Sequence, residues 1–569
     1  LASAHPSLPF ELPNKWAAAA PKPCHPEMQS SSLETLATRL EVATAELAAR
    51  RGVPVSAPAP PNQASRSRLV SAARLLETLV SEDTNTLVHD GGDTSGAWRS
   101  RRDQRSREME VQIHVVAERQ AETTRAIKAE VARVRQLPPA QFDALGRKYM
   151  DAEALFEALD ALDGAATLIL RASWLKKQKS GRLPKRGEKL PPGAVIMVKE
   201  LREIQSRSKA KVALPVIALS HFWRTKEHPD PDGETLGLVV DALNAQWSSF
   251  EGKGVSDLGV LIDWCALYQH PRTEEEDRVF GAALKAINQW YAHKGTTVWL
   301  VTAGKDRVKG LTYWEKGWTS FEYALAMMIK VANTSIFADW AQVCDLGKTG
   351  EDQVKVTRPA PAEPLAFFEA HEYGSKTYTN GADRDAIVAP KFRETTFELL
   401  AGVAELNFNK LGWGDDEVVQ LAVVLPLCCK LRTLLLAGNN IGDKGAIVMS
   451  DVLKVNVALT ELNLEANQIG PSGATAIAKA LEVNVALTSL DVGYNGLTEE
   501  AALAIVRIER TRNKLILLGL AGCQISPTGA KEIAEWLSIS VALNTLHLSF
   551  NRIADQGAVA LGKALEVNV

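Results

Sequence analysis

A small set of reactive and hydrogen-bonding side chains stands at the ends of three apolar runs. Ser220, His221 and Trp223 close the run that starts at Val216, and Asp263 and Gln269 close the one that starts at Gly259. Trp318 and Glu322 follow the run Thr297 to Val301. A hydroxyl, an imidazole, two carboxylates, an amide and two indoles are groups that grip a polar ligand. Each run has the length of a strand and gives way to polar or aromatic residues where a strand passes into a loop.

Helical patterns separate the runs. They cover 233–246, 274–293 and 318–330, the last with Phe321, Leu325, Met328 and Ile329 on one face. Residues 335–346 add a further candidate strand. The alternation β-α-β-α-β-α predicts a parallel sheet flanked by helices on both faces. Ligands in such sheets bind beyond the carboxyl ends of the strands, where Ser220, His221, Trp223, Asp263 and Gln269 fall. Each residue also has a structural explanation. A carboxylate near a helix N-terminus, as at Glu322, is favoured by the helix dipole. Asp263 can tie loop amides, His221 can be a hydrogen-bonded structural residue, and Trp299 and Trp318 suit a core.

The 569 residues exceed one core and predict two to four domains. The chain is 46% hydrophobic and 23% charged, with a net charge of −3 that draws it to neither nucleic acid nor membrane. The cysteines lack zinc spacing, so no metal is expected, and reduced thiols in a cytoplasmic protein fit best. No run is long and apolar enough to span a bilayer, and residues 1–13 lack the pattern of a secretory leader. Residues 1–31 read as a disordered tail and 32–165 as a helical region. Within the latter, 105–137 suits either a short coiled coil or a solvated helix in a small bundle, and 140–162 reads as one amphipathic helix. Residues 166–212 read as a basic linker and helix, 213–400 as the α/β domain, and 349–364 as a loop without regular structure.

From 401 to 569 the sequence repeats every 28 residues, with Val403, Leu431, Leu459, Leu487, Leu515 and Leu543 in register. The unit is clearest at Leu459-Thr-Glu-Leu462-Asn-Leu464-Glu-Ala-Asn467-Gln-Ile469-Gly470 and reads as a leucine-rich repeat. This predicts a βα solenoid with Leu434, Leu436, Leu462, Leu464, Leu490, Leu518, Leu520, Leu546 and Leu548 inward. Asn439, Asn467, Asn495 and Asn551 hold a turn position, which Cys523 takes in the fifth repeat and Leu411 in the atypical first. The unit resembles the ribonuclease-inhibitor type found in NOD-like receptors, but the chain carries no G-x-x-x-x-G-K-[ST] loop of an NTPase. The expected protein-binding concave face presents Arg432, Thr460, Glu461, Asn463, Ser489, Asp491, Asn544 and His547. The absence of a starting Met and of a polar final cap reads as a piece of a longer chain.

The central module resembles the heterokaryon-incompatibility (HET) domain and, through it, the TIR domain. The resemblance rests on Ala218-Leu219-Ser220-His221-Phe222-Trp223, Ile262-Asp263 with Gln269, Val298-Trp299-Leu300 and Trp318-Thr319-Ser320-Phe321-Glu322. His221 stands where HET domains have Tyr, Cys265 falls one place early, and Phe321 replaces Gln. The resemblance implies one of two functions. In the first, a signalling protein of the innate-immune or cell-death kind binds a protein through its repeats and self-associates through this module. In the second, an effector hydrolyses NAD as substrate. Glu322 would be the catalytic carboxylate in a solvated cleft, and Ser220, His221, Trp223, Asp263, Gln269 and Trp318 would line the substrate pocket. No cofactor is implied.

Overall fold

The computed structural model describes residues 124–178, 180–210, 213–330, 340–356, 358–361, 376–378 and 380–567. The expected tail and the helices expected before residue 124 lie outside them. The chain divides into two compact units, Leu1–Ala126 and Ile127–Val569, and everything below concerns the second.

Five strands form the first sheet: β1 (Leu170–Arg171), β2 (Val216–His221), β3 (Gly259–Leu261), β4 (Thr297–Val301) and β5 (Val343–Asp345). Their order is β1-β3-β2-β4-β5; β2 to β5 run parallel and β1 is an antiparallel edge. β2 and β4 are buried throughout, as continuous apolar runs covered on both faces must be. Their side chains alternate between two cores. Val216, Ala218, Val298 and Leu300 meet the helices Glu274–Ala292 and Gly317–Met327, whereas Ile217, Leu219, Trp299 and Val301 meet Glu234–Gly252. The β2–β3 crossover therefore lies on one face and the β3–β4 and β4–β5 crossovers on the other. This doubly wound arrangement reverses direction between β2 and β4, which opens a crevice beyond their carboxyl ends.

Several boundaries differ from those read in the sequence. Leu170–Arg171, expected in a linker, joins the sheet because Leu170 is fully buried and pairs with Val260. Residues 140–162 break into three short helices at Gly146, which adopts a left-handed φ of 74°, and at Asp151, whose side chain caps the next helix through Glu153 N–H. Within 349–364, Gly350–Gln353 forms a 3-10 turn, and Arg358 is buried.

The second sheet consists of β6 (Glu405–Asn407), β7 (Thr433–Leu435), β8 (Glu461–Asn463), β9 (Ser489–Asp491), β10 (Leu517–Gly519) and β11 (Thr545–His547), a parallel ladder in which Leu406, Leu434, Leu462, Leu490, Leu518 and Leu546 stand in register. Helices of 10 to 14 residues back it. Asn467 shows how adjacent repeats are bound: its Oδ1 accepts Ile441 N–H at 3.0 Å, and its Nδ2 donates to Leu436 and Leu464 carbonyls, both at 3.0 Å. Asn439, Asn495 and Asn551 do the same. Cys523 keeps only a weak contact to Ala521 O. Seven of the nine inward leucines are fully buried; Leu546 and Leu548, at the edge strand of the described ladder, are half-buried.

One core runs from the sheet into the repeats through the helix Ala389–Gly402. Arg358 closes the joint. Its guanidinium donates to Met327 O at 2.7 Å and Met328 O at 3.0 Å, where the helix that carries Glu322 ends, and to Asn407 O at 3.0 Å on the first repeat. It lies over the Phe408 ring, Phe408 stacks on Trp413, and the Trp413 indole donates to Arg358 O at 2.7 Å. Burial lowers the Arg358 pKa to about 9.

Candidate functional site

The crevice holds a cavity of about 510 Å³. β2 supplies His221, Phe222 and Trp223, and the turn after β3 supplies Asp263, Leu267 and Gln269. The helix Gly317–Met327 supplies Trp318 and Glu322, and Asn380 to Ile387 close the far side. Ser220 alone among the expected pocket residues does not line the cavity. It is fully buried behind Glu322, because the last residues of β2 alternate in direction.

Glu322 departs from the expected solvated cleft. It is only 6% exposed, and its Oε2 accepts the Ser220 hydroxyl at 2.6 Å. Ser220 Oγ lies 2.6 Å from the Tyr313 hydroxyl, and the Tyr291 hydroxyl, which donates to Leu219 O at 3.2 Å, acts on the carboxyl from nearby. Burial pushes the Glu322 pKa well above the ordinary range, and the nearby Asp263 carboxylate adds to the rise; the Ser220 hydrogen bond and the Tyr291 hydroxyl oppose it. Burial thus favours the protonated form, and the place of the side chain in the second turn of its helix, near β2, removes it from water.

Asp263 is its opposite. Burial raises its pKa, but His221 and the N–H groups of Trp223 and Trp264 outweigh that and hold it below the usual carboxylate range. His221 Nε2 is 2.8 Å from Oδ1, Trp223 Nε1 donates to Oδ2 at 3.1 Å, and Trp264 N–H donates to Oδ1 at 2.6 Å. Its side chain remains 26% exposed. Two carboxyls in one cavity, one neutral and one ionised, form an arrangement that can donate and accept a proton. Gln269 instead turns back to Leu267 O at 2.9 Å and stiffens its own loop. Among the described residues no group of His, Cys, Asp and Glu is arranged to hold a metal ion.

The sequence reasoning missed Tyr313 and Tyr291 beneath Glu322, and Arg272, Lys316, Asn380 and Asp383 in the cavity wall. The one available signal was the Asn380-Gly381-Ala382-Asp383 turn, whose link to Trp318 spans 65 residues.

On the repeats, Arg432, Asn544 and His547 are exposed, and Thr460, Glu461, Asn463, Ser489 and Asp491 are half-buried. Some are engaged within the face: Glu461 accepts from Thr433 at 3.1 Å, Asp491 from Gly493 N–H at 2.9 Å, and His547 lies 3.5 Å from Asp491.

Fold and site together define a leucine-rich-repeat solenoid built onto a doubly wound α/β module. A family model described as "Leucine Rich repeat" matches residues 427–450, 455–478, 483–506 and 542–562. The unmatched units are the first, with Leu411 and Trp413, and the fifth, with Cys523. No curated protein matches the chain. Among solved structures the chain is similar to leiomodin-1 actin-binding site 2 at 22% identity and a TM-score of 0.21, covering 31% of this chain and 88% of that one. It is also similar to a tropomodulin C-terminal domain from Caenorhabditis elegans at 14% identity and a TM-score of 0.23, covering 31% and 92%. No helix among the described residues is long and apolar enough to cross a membrane.

Proposed function

We propose that this chain is a protein-interaction and signalling protein: the repeats bind a protein partner, and the α/β module, TIR/HET-like in its motifs, responds. The observation that carries this reading is the strand face of the repeats. Arg432, Thr460, Glu461, Ser489, Asp491, Asn544 and His547 stay at least partly open while the leucines between them are consumed by the core. A mixed polar face of this kind favours a protein over nucleic acid. The test is quantitative enrichment from source cells with the wild type and a Glu461→Lys, Asp491→Lys double variant of equal melting temperature. A partner held by the wild type and lost by the variant supports the reading; equal recovery sinks it.

A second reading, NAD hydrolysis through Glu322, is favoured by the cavity that Glu322 shares with His221, Trp223 and Asp263. Its difficulty is the protonation state: stabilising a developing cation needs an anion, and burial keeps Glu322 neutral. A ligand that brings a cation or a base against the carboxyl would have to ionise it. Cleavage of NAD by the wild type and none by Glu322→Gln supports this reading; equal rates in the two eliminate it.

A further inference from the structure

The charges around the cavity are unevenly matched. Arg272 and Lys316 in its wall are already paired with acids, and His270 Nε2 lies 2.8 Å from the Arg272 guanidinium. Arg272 Nε meets Asp277 at 2.5 Å and its guanidinium covers the Phe280 ring, while Lys316 pairs with Asp306. The cavity's carboxylates instead meet aromatic and amide N–H groups. Asp263 holds the Trp223 indole at 3.1 Å; Asp383 holds the Trp318 indole at 3.0 Å and the Asn380 amide at 2.9 Å. Arg384, next to Asp383, forks onto Asp385 at 2.9 and 3.0 Å. His221 touches Asp263 through Nε2, and its Nδ1 is buried without a partner.

Two indoles, each fixed by a carboxylate, therefore share a half-enclosed space whose positive charges are spent elsewhere. Aromatic walls backed by carboxylates attract cations, and attract them more strongly as water is excluded. We propose that this cavity binds a small organic cation with a flat apolar body, held by Trp223 and Trp318 and by the Asp263 and Asp383 carboxylates. The proposal does not rest on NAD cleavage: a cavity that binds such a cation and transforms nothing satisfies it.

The test uses the full chain and three probes of one shape. 1-Methylquinolinium carries the charge, quinoline at pH 8 lacks it, and quinoline-2-carboxylate reverses it. Titration calorimetry should show the cation binding at least about tenfold more tightly than quinoline, and the anion more weakly than either. Asp383→Asn keeps an oxygen for the Trp318 indole. It should weaken the cation about tenfold and leave quinoline unchanged. Quinoline binding as tightly as the cation, failure of the cation to bind at millimolar concentration, or an Asp383→Asn variant that binds the cation undiminished would each overturn the proposal. If the variant does not fold, the charged-against-neutral comparison in the wild type decides the matter alone. NAD turnover is measured separately, so a failure here leaves the catalytic reading to its own test.

Discussion

Replacing Glu322 by Gln should stabilise the protein, and increasingly so as pH rises. The folded chain buries the carboxyl as a neutral acid, whereas the unfolded chain returns it to a value near 4.5. Above that value the unfolded state releases a proton that the folded state keeps, so rising pH favours unfolding. The contribution of Glu322 is fully present below about pH 4.5 and is lost as pH climbs towards the folded pKa, at about 1.4 kcal/mol per pH unit. Gln has the size of the protonated acid, and its carbonyl still accepts from Ser220. The two proteins should therefore match within about 1 kcal/mol at pH 5, with the variant gaining about 1.4 kcal/mol per unit until the folded carboxyl ionises. Urea unfolding of both proteins at pH 5, 6, 7 and 8 measures this difference, and titrations elsewhere cancel in it. A difference that stays flat across the series would refute the neutral, buried carboxyl and restore the solvated anion.

The His293 ring, whose Nε2 meets Asp151 O and whose Nδ1 accepts Gly295 N–H, has its pKa lowered to about 4 by burial. Its contribution has the opposite sign: present above about pH 6.5 and lost as pH falls towards 4, about 3 kcal/mol in all, a slope that His293→Gln should remove in the same unfolding series. Arg358→Met leaves three carbonyls unpaired and should cost about 2–4 kcal/mol even after the relief of an unpaired buried charge; unchanged stability would show that the clamp contributes nothing. Leu464→Ala should cost about 2–5 kcal/mol, and Leu548→Ala, half-buried in the sixth repeat, clearly less; equal losses in chemical unfolding would contradict the burial described. Asn467→Ala removes bonds to two repeats and should cost about 2–4 kcal/mol, read from the same curves.

The repeats were legible because their contacts recur at one sequence separation: a residue's neighbour across the sheet is the residue 28 places on. The sheet was legible because β2 and β4 are apolar on both faces, which leaves a continuous run in the sequence. The cavity wall was not. Trp318 and Asp383 meet across 65 residues, and nothing in either neighbourhood announces the other. Glu322 was placed in the right element and given the wrong surroundings. The pattern that marks Phe321 and Leu325 as inward leaves Glu322 at the margin of the apolar stripe, and only the approach of Ser220, Tyr291 and Tyr313 covers it. Two-residue β1 carries too little pattern to be seen at all, and Arg358 looked like any charge in a polar loop.

The joint at Arg358 gives the array a mechanical polarity. Between neighbouring repeats a row of backbone bonds and, except at Cys523, an asparagine hold the stack, whereas the first repeat is riveted by Arg358, Phe408 and Trp413 into the core of the sheet. A pull along the solenoid would peel units from the far end one after another and stall at Trp413. Tension that reached this rivet would tug on the carbonyls of Met327 and Met328, at the tail of the helix that carries Glu322.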